Sequence, residues 1–245
     1  MNQLILTQSD RLKNQTENQE DYLINDSLKV HHIKNILKLK VGDELRLAVI
    51  NKGKFIGEIL QFLDFDSKIL VRILRKAETE NPKESSIQLL IGLSRPPTLK
   101  KILEHGACMG VKSFYFFHSE LSEKSYKDSK ILGLEESTKL LHLGLSQSNT
   151  YYQLPEIKIF SSLHEAVNEI PPHHQCFILD KNSQNKFTKS SQDISLCFGS
   201  ERGLTKNEMD FLLKKNFISV KVSATTLRVE HAVYYSLAQL EFINF

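Results

Sequence analysis

Tryptophan is absent from the 245-residue chain, and cysteine (3), methionine (3) and proline (6) are scarce. The cysteines, Cys108, Cys176 and Cys197, are odd in number, far apart and in no metal-ligand spacing. That excludes a disulfide framework and a zinc-finger pattern, and it predicts buried thiols in a reducing compartment. Apolar runs reach only strand length, well short of the ~20 residues that a membrane span requires. The N-terminus turns polar after Ile5-Leu6 and carries no signal-peptide core. A cytoplasmic protein without a membrane partner is expected. A strong charge excess is missing too: with a net charge of +3, any basic surface must be local. No internal repeat or low-complexity tract occurs. What is present, 40% apolar and 25% charged residues, is ordinary for a globular chain of one large or two small domains.

The rhythm of the chain changes once. Residues 1–74 read as β-rich with one helix. Asp26 or Ser27 caps that helix, whose buried stripe is Val30, Ile33 and Leu37. Strands follow at Glu44 to Ile50, Lys54 to Leu63 and Lys68 to Leu74, joined by Asn51-Lys52-Gly53 and by Asp64 to Ser67. Short strands with tight turns predict a small barrel. The polar stretch Arg75 to Ser86 marks a linker, 75–86. Beyond it, in 87–245, strands and helices alternate, which predicts an α/β domain with a mainly parallel sheet.

Two loops near the C-terminus suggest a pocket. In Leu196 to Glu208 (LCFGSERGLTKNE) an apolar strand meets a turn with two glycines, then a capping box, Thr205 with Glu208. Val222 to Glu230 (VSATTLRVE) is the second loop entering a helix. Such turns are where α/β proteins place ligands, although the glycines can equally serve only the backbone. Neither a dinucleotide fingerprint nor a P-loop is present, which disfavours a nucleotide-binding enzyme. His173-His174 with Cys176 lacks a second cluster to complete a metal site and reads as a solvated loop, so no metal is expected. His118, Glu120 and Lys124 follow a strand and read as loop and cap residues. Lys29 to Lys40 holds four lysines, two histidines and no carboxylate, whereas residues 1–74 hold 11 Lys or Arg against 10 Asp or Glu. A one-sign helix face carrying His31, Lys34 and Lys38 leans toward phosphate contact, against an unpaired surface face.

Five blocks in order resemble the RsmE family: HHIKNILKLKVGD, LSRPPTLKKILEHGACMGV, LGLSQSNTYYQLPEI, CFGSERGLTKNE and TTLRVEHA. The resemblance spans essentially the whole chain. It implies a PUA-like β-barrel followed by a SPOUT α/β domain with a trefoil knot, acting as a homodimeric methyltransferase. The activity implied is S-adenosylmethionine-dependent methylation of uridine N3 in 16S ribosomal RNA of the small subunit. Carried over by position, Leu179, Phe198, Gly199, Ser200, Glu201, Gly203, Val222, Ser223, Thr226 and Leu227 would bind the cofactor. Arg228 and Glu230 would be catalytic, with Glu230 orienting Arg228 or accepting a proton. His31, Lys34 and Lys38 would hold the RNA.

The chain departs from the family pattern close to the expected pocket. Gly199-Ser200-Glu201-Arg202-Gly203 stands for Gly-Pro-Glu-Gly-Gly, and Val222-Ser223-Ala224-Thr225 for Leu-Gly-Pro-Arg. Glu230-His231 replaces Glu-Thr, and Ser146-Gln147 replaces Glu-Gln. The alternative these changes raise is a non-catalytic RNA- or ribosome-binding paralogue with a degenerate pocket.

Overall fold

The computed structural model describes residues 3–13, 19–77 and 86–244. The chain divides into two compact units, Met1–Lys83 with Leu145–Leu154, and Glu84–Gly144 with Pro155–Phe245. Most of the expected linker, residues 78–85, lies outside the described residues.

The first unit is a curled, mixed five-stranded sheet. Strands β1 (Leu4–Leu6), β2 (Asp21–Ile24), β3 (Glu44–Val49), β4 (Gly53–Leu63) and β5 (Lys68–Lys76) pair in the order β1-β3-β4-β5-β2. Register shifts at Ile56/Gly57 and Ile59/Gln61 bend β4 against β5, as bulges do. Tyr22, Ile24, Leu45, Leu47, Val49, Ile59, Ile69 and Val71 fill the concave side with Val30 and Ile33 from helix α1 (Ser27–His31). Strand β5 runs two residues past its apolar stretch. Arg75 pairs with Ile56 in the ladder, and its guanidinium grips both Glu44 carboxylate oxygens at 2.8 Å.

Asp26 is the cap of α1, accepting from Leu28 N and Lys29 N. The expected stripe fails at its third member. Over His32–Ile36 the helix widens into a π turn, closed by Leu37 N donating to His32 O. The extra residue per turn rotates Leu37 outward, 48% exposed, and Leu39 packs on the core. Leu145–Leu154 completes this unit: Gln3 Nε2 donates to Leu145 O and Tyr151 O, Asn51 N to Tyr152 O, and Leu154 N to Asn51 Oδ1.

The second unit is a parallel six-stranded sheet in the order β11-β9-β10-β6-β7-β8. Its strands are β6 (Ile87–Gly92), β7 (Val111–Phe117), β8 (Glu156–Phe160), β9 (Gln175–Leu179), β10 (Ile194–Phe198) and β11 (Ile218–Val220). Helices α2 (Pro96–Cys108), α3 (Leu134–Gln147), α4 (Leu163–Asn168), α5 (Lys206–Lys214) and α6 (Val229–Asn244) connect and cover them. Every residue of β10 is buried, which explains its apolar run, broken only by Ser195. The chain builds β6, β7 and β8 outward in one direction, then crosses to β9 and fills the gap with β10. That reversal of strand order creates the crevice in which open α/β sheets hold ligands, at the carboxyl ends of the strands.

Candidate functional site

A cavity of about 660 Å³ opens at the carboxyl ends of β9, β10 and β11. Its walls are Leu179 to Asn182 after β9, Phe198 to Leu204 after β10, and Val220 to Ser223 with Thr225 to Leu227 after β11. Lys206 and Met209 of α5 and Val229 and Ala232 of α6 complete it. The volume lies within the range of small-molecule sites. All ten residues expected around a cofactor line this one space.

Local chemistry shapes each wall. Gly199 faces the returning turn so closely that a Cβ there would sit 2.4 Å from Gly203 C and 2.6 Å from Gly203 O. Gly203 holds φ +83°, a left-handed conformation that side chains resist. The turn closes through Gly203 N donating to Ser200 O at 2.8 Å. Thr205 then caps α5: Glu208 N donates to Thr205 Oγ1, and Thr205 N to Glu208 Oε2 at 2.8 Å. The buried Glu208 carboxylate also accepts from Ser119 Oγ and Glu120 N, fixing the loop after β7. That contact accounts for Glu120; neither it nor His118 nor Lys124 lines the cavity. On the third wall, Gln239 Nε2 of α6 donates to Val222 O at 2.7 Å, and Thr225 N donates to Ser223 Oγ at 3.1 Å.

Arg228 and Glu230 stand beside the cavity rather than in its wall. Arg228 is exposed at the start of α6, where its carbonyl accepts from Ala232 N. Glu230 is buried, and its charged partner is Lys101 of α2, with Nζ 3.5 Å from Oε1. Burial works to raise the Glu230 carboxyl. Backbone hydrogen bonding, Lys101 and His231 outweigh it, holding the group below the usual carboxylate range. A pairing of Glu230 with Arg228 therefore gives way to one with Lys101. Sequence reasoning assigned no role to Lys101 or Arg95, although both lie in a block it had singled out. Their partners are distant in sequence, so spacing carried no signal.

Of the departures from the family pattern, Ser200, Arg202, Ser223 and Thr225 line the cavity and Ala224 does not. The thiols differ in burial: Cys197 is buried, and Cys108 and Cys176 are half-buried. Burial pushes Cys176 up to about 11, and Cys197 also upward, so neither is a thiolate nucleophile at neutral pH. His173 is exposed as expected, but His174 is not in a solvated loop: its ring is buried beside Asp193, with Nε2 3.6 Å from Oδ2. Lys112 Nζ stands 3.4 Å from the same oxygen, and the ligand atoms of His173, His174 and Asp193 lie within 4.8 Å of one another.

In the first unit, His31, Lys34 and Lys38 are all exposed. His31 Nδ1 bonds Asn35 Nδ2 at 2.9 Å. The face is less purely cationic than its sequence, because Lys34 Nζ meets Asp66 Oδ2 from the β4–β5 turn at 2.7 Å.

Comparison with known proteins agrees with this architecture. Residues 80–241 match the model of an RNA methyltransferase domain, and residues 29–62 that of an RNA methyltransferase PUA domain. Ribosomal RNA small subunit methyltransferase E 1 of Borreliella burgdorferi is 32% identical over 213 residues, 85% of this chain and 87% of its own. The corresponding methyltransferase E of Treponema pallidum is 29% identical over 210 residues, 82% of this chain and 77% of its own. Among solved structures, ribosomal RNA small subunit methyltransferase E of Neisseria gonorrhoeae, bound to S-adenosyl methionine, superposes with a TM-score of 0.78. It is 18% identical, with 99% of this chain and 98% of that one covered. The fold is thus that of a SPOUT α/β knot methyltransferase preceded by a PUA-like barrel. The chain belongs to the RsmE family of small-subunit ribosomal RNA methyltransferases.

Proposed function

We propose that the protein is an S-adenosylmethionine-dependent methyltransferase acting at N3 of a uridine in 16S ribosomal RNA of the small subunit, in the cytoplasm. The observation that carries this reading is the convergence of all ten expected cofactor residues on one cavity at the strand ends. The residues suit such a group. The close turn Gly199 to Gly203 offers backbone to an adenosyl or methionyl portion, Leu179, Phe198 and Leu227 offer apolar contact, and Val222, Ser223 and Thr226 close the far side. Bound there, the cofactor supplies a sulfonium methyl group with a built-in leaving group.

The protein's own task is to position the base and manage charge. Uracil N3 carries a proton with a pKa above neutrality, so transfer requires its removal or stabilisation of the developing anion. Arg228 stabilises that anion. With its carboxyl held low, Glu230 is a poor proton acceptor and acts as a positioning residue, clamping the first turn of α6 to α2 through Lys101. His31, Lys34 and Lys38 hold the RNA backbone. The working unit is a homodimer, which the exposed apolar residues Tyr235 and Phe242 on α6 support.

The test supplies labelled cofactor and 30S particles from a strain lacking the gene, with reverse-transcription mapping of the product. Methyl transfer to a single uridine, blocked at its pairing edge, is expected, and Arg228→Ala abolishes it with the fold intact. No transfer by the folded protein overturns the reading. Arg202 in the cavity wall favours one alternative, a non-catalytic ribosome-binding paralogue. Calorimetry separates the two, since S-adenosylhomocysteine binding to the wild-type cavity contradicts a degenerate pocket.

A further inference from the structure

Phe65 has no role in the fold. It sits at the tip of the β4–β5 turn with a relative exposure of 107%, so the whole ring stands in water. A single exposed apolar side chain is ordinary on a surface, but the backbone that carries this one is not. Here the backbone is left-handed at three successive residues, none of them glycine: Asp64 (φ 50°), Phe65 (53°) and Asp66 (64°). L-residues disfavour this conformation, and it persists only where surrounding contacts impose it. Two exposed ion pairs accompany it. Lys34 Nζ holds Asp66 Oδ2 at 2.7 Å, and Lys68 Nζ holds Asp64 Oδ2 at 2.5 Å. Ser67 N closes the turn by donating to Asp64 O. The ring is therefore presented at the tip of a turn tied to Lys34 and Lys68.

The Lys34 pair also ties the turn to a cationic segment. Lys34 belongs to the segment that carries His31 and Lys38, both exposed. Lys29 and Lys38 make no ion pair among the described residues, and Leu28 and Ile36 are exposed on the same segment. Cations on a segment tied to this turn, together with an exposed aromatic ring, match the chemistry of an unpaired nucleotide. The phosphates meet the lysines, and the base stacks on the ring whatever its identity. A protein partner would be served by the apolar groups alone, and the unpaired lysines would be left without a counterpart.

We propose that Phe65 is a stacking platform for an unpaired base of the RNA substrate, with Lys38 engaging an adjoining phosphate. The proposal rests on the RNA-methylating reading above and adds to it the recognition of a single-stranded nucleotide by the first unit.

The test measures anisotropy of a fluorescein-labelled single-stranded RNA of about 12 nucleotides, a length typical of such sites. Methylation of 30S particles by the same full-length proteins is followed in parallel. Phe65→Ala weakens RNA binding roughly ten-fold, within the range of lost base stacking. Phe65→Trp retains binding, and both variants keep the wild-type melting temperature. Equal RNA binding by the wild type and Phe65→Ala overturns the proposal, as does a Trp variant as weak as the Ala variant. Loss of methylation on assembled particles with naked-RNA binding intact also overturns it, because the ring then meets a ribosomal protein. If the wild type neither binds RNA nor methylates particles, the functional reading itself fails. A fully active Phe65→Ala variant removes this inference alone.

Discussion

Glu201 Oε1 accepts from both the backbone N–H of Arg95, at 2.7 Å, and its guanidinium Nε, at 3.3 Å. Arg95 is the N-cap of α2, and Pro96 and Pro97 after it have no N–H to offer. A carboxylate from the cavity turn therefore stands at the positive end of that helix, where negative charge is favoured. The side-chain half of the contact is exposed and contributes at most about 1 kcal/mol. The backbone half holds the turn in place. Glu201→Ala is expected to weaken S-adenosylhomocysteine binding several-fold, whereas Arg95→Ala, which keeps the backbone donor, leaves it near wild type. Calorimetry on the two variants decides this, and the opposite order would show that the guanidinium matters more.

The two glycines of the cavity turn should respond differently to a methyl group. At Gly199 an added Cβ meets the Gly203 backbone, so Gly199→Ala must displace the turn, costing about 1–3 kcal/mol and most of the cofactor affinity. At Gly203 nothing lies within 4 Å, and only the positive φ resists. Gly203→Ala is expected to cost about 1 kcal/mol and to keep measurable binding. Thermal melts with and without S-adenosylhomocysteine read both effects.

Removing the Thr205 hydroxyl strips Glu208 N of its acceptor. A lost cap of this kind costs about 1 kcal/mol. Thr205→Ser keeps the oxygen and should keep the stability in urea titrations, with Thr205→Ala shifted to lower denaturant.

His174 predicts a dependence on pH. Burial lowers it below its ordinary value of 6.5, with His173 and Lys112 acting in the same direction and Asp193 opposing them. Ring Nδ1 is engaged with Ser195 Oγ at 2.8 Å. Because the folded chain holds this ring neutral longer than the unfolded chain does, the unfolded state takes up the proton first. Stability is unaffected well above pH 6.5 and falls as the pH drops through that value. Melting temperatures between pH 5 and 8 should show the fall, and His174→Asn should flatten it. An equally steep profile in the variant would assign the effect to other groups.

The α/β unit was legible because its central strands β6, β7 and β10 are largely buried and read as mostly apolar runs. The capping box at Thr205 and Glu208 was legible too, since its two partners sit three residues apart. Leu37 was misjudged because a π turn has no signature in hydrophobic spacing. The partnership of Glu230 with Lys101 joins residues 129 apart, and that of Lys34 with Asp66 joins residues 32 apart. Such pairs exist only once strands have been ordered, and apolar periodicity does not encode that order. The convergence of three loops into one cavity is likewise a consequence of strand order, which the resemblance implied and local patterns could not.

The segment Leu145–Leu154 has a practical consequence. Five of its backbone groups are bonded by Gln3 and Asn51, yet it is encoded more than sixty residues after Lys83. A fragment ending at Lys83 would lose those partners, leaving Gln3 and Asn51 with donors and acceptors that had been satisfied. Anyone grafting this module onto another enzyme would have to carry two separate stretches of gene, because here the unit of inheritance is longer than the unit that folds.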